Sequence, residues 1–289
     1  MTVILGAIIV LVSVIGGFVL GGGHVGSLLH FSEWIIIGGS AVGALVIMSP
    51  RSVIRLLIRK SFSTLKGAPH SRRGYEDLFK ALYELFMLGR RNGMIALEEH
   101  VFQPATSAIF SQYPSLLANP GALTFLCDGL RPIIDGKIKP DQLKLLLDIE
   151  LHSLEEEDHQ PVSVLNKAAD AMPGFGIVAA VMGIVITMGS IAGPIEEIGH
   201  KVAAALVGTF LGIFLSYGFM HPLAVNIEFI NIARLAYVRC IAAAVLAFAN
   251  GMSPIVAIEV ARRGLSQDVK PDADALEAML KSVNTAPKS

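Results

Sequence analysis

The chain is 289 residues long, 53% hydrophobic and only 16% charged, with a net charge of −1. That balance lies outside the usual range of soluble domains and points to membrane spans, while the near-zero charge argues against nucleic acid as a partner. The two cysteines, Cys127 and Cys240, are far apart in segments assigned below to the cytoplasm, so no disulfide is expected and both read as buried or idle thiols.

Val3 to Leu20 is the first predicted span. No basic stretch precedes it and no convincing small-residue cleavage pattern follows, so it is not read as a signal peptide. Trp34 to Met48 is a second, shorter span, with Trp34 at one interface and Pro50 and Arg51 at the other. The loop between them, Gly21 to Glu33, has no Lys or Arg, whereas Arg51, Arg55, Arg59, Lys60, Lys66, Arg72 and Arg73 follow the second span. The positive-inside rule places that loop outside and the segment after Pro50 in the cytoplasm.

Residues 51–170 are long and polar enough for a cytoplasmic domain of helical periodicity. Leu78, Leu82, Leu85 and Phe86 share one face of a helix predicted over Tyr75 to Arg90. Asp141, directly after Pro140, opens another, with Leu143, Leu146, Leu147 and Leu151 inward and an expected end in the acidic run Glu155 to Asp158. Asn92-Gly93, Gln103-Pro104 and Asp135-Gly136 read as turns or caps.

The stretch around which the chain is organised is Ala171 to Pro222. Ala171 to Ala192 and Val202 to Met220 are apolar runs of about the length a bilayer core demands, without Asp, Glu, Lys or Arg. A linker carrying Glu196, Glu197, His200 and Lys201 joins them. Gly176, Gly183, Gly189, Gly208, Gly212 and Gly218 recur at spacings that let helices approach closely in lipid. The oxygens at depth are hydroxyls, notably Thr187, Thr209, Ser216 and Tyr217. Pro173 is expected to open the first helix, and Pro222 to interrupt the second by freeing the Gly218 carbonyl. Beyond it, a cytoplasmic helix is predicted from Leu223 through Phe248, a short one after Ser253, and a solvated tail over Ser266 to Ser289.

The predicted fold is all-α, an integral membrane protein with four transmembrane helices and a helical cytoplasmic domain. It divides into a membrane hairpin (1–50), a cytoplasmic domain (51–170), a second hairpin (171–222) and a cytoplasmic extension and tail (223–289). Both termini are then cytoplasmic, the Glu196 to Lys201 linker faces out, and Arg234, Arg239, Arg262 and Arg263 face in.

No phosphate-binding loop, Ser/His/Asp arrangement or metal-ligand cluster is recognisable, so neither an enzyme nor a cofactor is expected. His221, alone at a membrane boundary, reads as packing or hydrogen bonding rather than a proton relay. Ion carriers that use a protonatable group usually display a carboxylate at mid-membrane; these spans hold none, so if the chain moves ions, another polypeptide supplies the charge. A transporter with its own substrate site would need polar groups or broken helices in both halves. A purely structural scaffold would leave the two prolines and Thr209 without a use.

GRRNGMIALEEH from Gly89, PGFGIVAAVMGIVITM from Pro173 and KVAAALVGTFLGIFLSYGFMHPLA from Lys201, in that order, resemble the MotA-type stator subunit of the bacterial flagellar motor. The likeness covers nearly the whole chain and sits within the wider group of ExbB and TolQ energy transducers. An ExbB/TolQ-type transducer is the nearest alternative, but it should have fewer spans and lack the Arg90 to Glu98 segment. The resemblance implies a pentamer in the bacterial inner membrane around a dimer of a MotB-like single-span partner that carries the membrane aspartate, working against a FliG-like rotor switch protein.

It also implies roles for residues. Pro173 and Pro222 match the prolines that couple ion flow to conformational change, although Pro173 by itself would also suit a helix start. Thr209 matches a position facing the ion path, where a hydroxyl bonding back to its own helix is the plainer reading; Tyr217 is grouped with that path. Arg90 and Glu98 match charges that pair with the rotor, with weaker claims for Arg91, Glu99 and Glu150. Sodium-driven relatives carry threonines where this chain has Ala180 and Gly208, leaving Thr209 alone and favouring the proton as the driving ion.

Overall fold

A computed structural model of the chain describes residues 2–66, 71–189 and 192–285, and among these every regular element is helical. The described residues form two compact units, one drawn from 1–67 and 157–230, the other from 68–156 and 231–289. Four helical stretches are long and apolar enough to cross a membrane.

The first unit begins with α1 (Thr2–Leu20), a short 3₁₀ turn over Val25–Leu28, and α2 (Phe31–Met48). Because α2 starts before Trp34, Glu33 falls in its first turn, buried and accepting a hydrogen bond from Ser32 Oγ at 2.7 Å. α3 (Arg51–Ser63) is amphipathic, burying Val53 and Leu57 and exposing Arg51, Arg55 and Arg59. Lys60 is the exception among these cations. It is buried, 2.7 Å from buried Asp158, so neither charge loses its counterion on leaving water. Leu57, Val162, Leu165, Ala224 and Ile227 make the apolar cluster of this part of the unit.

The second unit contains α4 (Arg72–Asn92), α5 (Glu98–Phe102), α6 (Pro114–Leu117) and α7 (Pro120–Ile134). Ser71 caps α4 by accepting from the Gly74 amide, and the leucine face read from the sequence is fully buried. α8 (Pro140–Met188) starts in this unit and runs into the first. Two expectations fail here. The acidic run Glu155 to Asp158 does not end a helix, and Pro173 does not open one: α8 passes through both, and through Pro161. Glutamates are good helix formers, and a proline in a packed helix removes one hydrogen bond that neighbours can replace.

α9 (Ile195–Leu215) is followed by a π-helical turn at Ser216–Met220 and then by α10 (His221–Ala249). The expected linker is therefore shorter. α8 ends at Met188, before Ala192, and Glu196, Glu197, His200 and Lys201 lie in the first turns of α9, where Glu197 pairs with Lys201 at 2.8 Å; Ser190 and Ile191 lie outside the described residues.

The distal part of α10 joins the second unit's core, Phe248 stacking on Phe86 with ring centres 4.2 Å apart. α11 (Pro254–Arg263) follows as expected. The solvated tail is overturned by α12 (Ala273–Thr285), which buries Leu276 and Leu280 in that core. Arg262 ties the approach to it, donating to the Pro271 carbonyl at 2.9 Å and pairing with Glu259 at 2.7 Å. Both cysteines are free and buried in this core. Burial pushes the Cys127 thiol up to about 11 and the Cys240 thiol up to about 12, which keeps both protonated and unreactive.

Candidate functional site

Of the predicted ion-path residues, Pro173, Ala180 and Thr209 lie on the hairpin of distal α8 and α9, whose seam is backbone against backbone, while Tyr217 lies in the π turn and Pro222 in α10. A Cβ added to Gly212 would meet the Met172 carbonyl oxygen at 2.7 Å, and one on Gly176 would meet the Gly208 carbonyl oxygen at 2.8 Å. Only glycine permits that approach. Gly208 also faces Ala180: a Cβ there would lie 3.0 Å from Ala179 Cβ and 3.3 Å from the Ala180 amide nitrogen. Ala180 and Gly208 are thus adjacent across the hairpin, with little room for a side chain on Gly208.

Thr209 is half-buried on the edge of the seam. It shares a stripe with exposed Leu206 and Ile213 of α9 and with exposed Tyr217 in the π turn that follows, at spacings of three and four. On α8 the corresponding stripe holds Pro173, Ile177, Ala180 and Ile184, with Ile177 and Ile184 exposed. Apolar stripes of this length need lipid or another chain over them. Thr187 has a local use, its hydroxyl donating to the Gly183 carbonyl at 2.8 Å.

The two prolines lie at opposite sides of one polar knot. Beside Pro222, the helix widens: the His221 amide donates to the Ser216 carbonyl, five residues back instead of four. The Ser216 hydroxyl is fully buried and donates to the Ala169 carbonyl on α8 at 2.7 Å. The His221 ring sits 3.2 Å from the Asp170 carboxylate and 3.3 Å from Asn166 Oδ1, and stacks on Tyr217 at 5.3 Å. Sequence reasoning named Pro173, Pro222 and Tyr217, and read His221 as a hydrogen-bonding residue, but missed the part played by Ser216. The signal was present. Ser216 continues the Gly208-x-x-x-Gly212 spacing by four, which sets its side chain on the seam rather than on the outer stripe.

In the second unit, Arg90 and Glu98 flank a turn at Gly93 that closes α4 at φ 85°, a conformation costly for other residues. Both are exposed, as are Arg91 and Glu99. Arg90 Nη1 reaches the Gly251 carbonyl only at 3.5 Å, so its charge stays in solvent. Fully buried Leu97 anchors the turn, packing within 3.1 Å of where a Cβ on Gly89 would be. Glu150 is placed differently. It lines a cavity of 360 Å³ with Asn119, Phe125, Leu154 and Arg234, where burial, and then the nearby Asp128, holds its carboxyl above the usual range.

Comparison with known proteins matches two family models, motility protein A N-terminal over residues 4–93 and the MotA/TolQ/ExbB proton channel family over residues 119–228. Motility protein A of Salmonella typhimurium is 35% identical over 283 residues, covering 98% of this chain and 96% of that protein. The chain belongs to the motility protein A family. Chemotaxis protein LafT of Vibrio parahaemolyticus is likewise 35% identical, covering 96% of this chain and 97% of its own length.

The motility protein A fold is also shared with solved structures. The C. jejuni MotAB structure superposes with a TM-score of 0.77 at 19% identity, covering 92% of this chain and 96% of that one. The MotAB stator complex of Bacillus subtilis gives 0.74 at 23% identity, covering 93% and 98%. As a member of this family, the chain is a multi-pass membrane protein and a flagellar stator subunit. The match over residues 4–93 is to a motility protein A model, which favours this family over the ExbB/TolQ-type alternative.

Proposed function

We propose that this stator subunit assembles as a pentamer around two copies of a MotB-like single-span partner in the bacterial inner membrane, and converts proton flow into torque. In this reading both termini are cytoplasmic, the hairpin 171–222 lines the ion path, the domain 51–170 carries the rotor contact, and 223–289 is a cytoplasmic extension. One observation carries it: the α8–α9 hairpin and the π turn after it turn a stripe outward that holds Thr209 and Tyr217 but no titratable carboxylate. The proton-binding group must then come from the partner's aspartate.

The proton assignment is supported by the chemistry of the seam. A bare sodium ion needs several converging oxygens, whereas a proton needs a carboxylate that can be neutralised and recharged. Ala180 supplies no hydroxyl, and Gly208 is closed to a larger side chain by Ala179 and the Ala180 backbone. Thr209 alone can orient a water beside a titrating carboxylate. Protonation then switches the partner between charged and neutral states, and the hairpin answers each state differently. Arg90 and Glu98, exposed and with no counterion at bonding distance among the described residues, supply short-lived charge contacts to a FliG-like rotor protein.

The test is ion flux in vesicles together with swimming of cells that rely on this stator. Flux is expected only when the partner is co-expressed, and speed is expected to persist when potassium replaces sodium at fixed pH and membrane potential. Equal flux from this subunit alone, or speed that collapses without sodium, overturns the proposal.

A further inference from the structure

A proline inside a helix has no N–H to give to the carbonyl four residues earlier. For Pro173 that carbonyl is Ala169, buried in the first unit. Left without a donor in a dry interior, it would lose a hydrogen bond that water cannot replace. The donor it receives is the Ser216 hydroxyl, at 2.7 Å and fully buried. The same residue opens the π turn that precedes Pro222, where its own carbonyl takes the His221 amide. Ser216 therefore answers the Pro173 defect through its side chain and, through its backbone, opens the widened turn just before Pro222. Gly212, one turn earlier, brings the helices close enough for this bond, since even a Cβ there would touch the Met172 carbonyl.

We propose that Ser216 is a positioning residue of the motor, a latch that joins the gap left by Pro173 in α8 to the widened turn before Pro222, so that α8 and the α9–α10 helix bend as one element. The proposal rests on the stator reading for its consequence, coupling, but not for the latch itself. A π turn stores one extra residue and can shift its bonding register at low cost. Holding that turn to the carbonyl freed by Pro173 makes a shift on one helix require a shift on the other. Without the hydroxyl each helix relaxes separately, and movement at the ion path is lost before it reaches the cytoplasmic side.

The experiment is a double-mutant cycle in the full complex with its partner, read by thermal unfolding and by swimming speed. Ser216→Ala is expected to lower the melting midpoint by about 2–4 °C, the order expected for one orphaned buried carbonyl in a chain of this size, and to reduce speed at least twofold. Ser216→Thr, which keeps the hydroxyl, is expected to restore both. In a Pro173→Ala background, residue 173 regains the amide that Ala169 needs, so adding Ser216→Ala should leave the midpoint unchanged. An equal drop in both backgrounds overturns the latch, and a midpoint drop with unaltered speed overturns its role in coupling. Should Ser216→Ala alone fail to assemble, assembly of the double variant supports the latch and its failure overturns it. A sodium-driven complex would leave the melting cycle as expected, so failure of the ion reading is told apart from failure of the latch.

Discussion

The two units of this chain solve the packing problem in opposite ways. The second is held by large side chains: Phe79, Phe86, Phe110, Leu126 and Leu130 are fully enclosed, as in any water-soluble core. In the first, the α8–α9 seam is made from Gly176, Gly208, Gly212 and Ala179, while Ile177, Val185, Leu206 and Ile213 face outward. Leucine gains little by leaving lipid for a protein interior, so a membrane hairpin gains from close backbone packing and from satisfying every polar group instead. The difference teaches where each unit is vulnerable. The second unit fails when volume is removed, the first when volume is added or a hydrogen bond is lost.

The largest stability effect is expected from removing volume in the second unit. Phe86→Ala deletes a ring stacked on Phe248 and should cost about 3–5 kcal/mol, measured as faster amide exchange across α4, α7 and α10. Exchange that speeds up equally in the α8–α9 hairpin would break the contrast between the units. Next comes Gly212→Ala, which adds one methyl where 2.7 Å separates its site from a backbone oxygen. Overpacking of this kind should cost about 1–3 kcal/mol and reduce yield of the assembled complex.

The same methyl at Gly129, where the nearest atom is a flexible Leu147 side-chain carbon at 3.3 Å, should cost less than half as much. Equal melting shifts for Gly129→Ala and Gly212→Ala would show that the seam is no tighter than the core. A smaller, pH-dependent effect belongs to Glu259, whose carboxyl is held at about 2, chiefly by the hydrogen bond from Arg262. Because the folded value is depressed, its contribution is present above the ordinary carboxylate pKa of about 4.3 and is lost as pH falls toward 2. Melting of Glu259→Gln should therefore lie below that of the unmodified chain at pH 7, with the gap closing below about pH 4.

Smallest on stability is Arg90→Glu, since an exposed charge of this kind is worth about 0–1 kcal/mol. Rotation should nonetheless be impaired, with insertion, partner binding and ion leak unchanged, if that tip meets the rotor. Loss of assembly in this variant would make Arg90 a structural residue.

Much of this was legible before any fold was known. Hydropathy alone located the spans, because a bilayer imposes a length and forbids charge. The leucine face of α4 was legible because helical period and burial coincide there. What was misread lies where local signals yield to packing. Pro173 reads as a helix start in isolation, yet α8 continues through it because a serine from another helix supplies the missing donor. Asp158 reads as part of an acidic run that ends a helix, but the helix continues and Lys60 meets the carboxylate out of water. The last residues read as a tail, but Leu276 and Leu280 find a core already waiting for them.

The sequence by itself determined the number of candidate spans, the helical class and the family. Those follow from composition and short-range pattern, which depend on neighbours in the chain and on the solvent outside it. Only the tertiary structure decided that Ala180 lies against Gly208, that Ser216 answers Pro173, and that Asp158 is buried. Each is a pairing between residues far apart in the chain, and its energy comes from geometry within about 3 Å, a distance that pattern in one dimension does not encode.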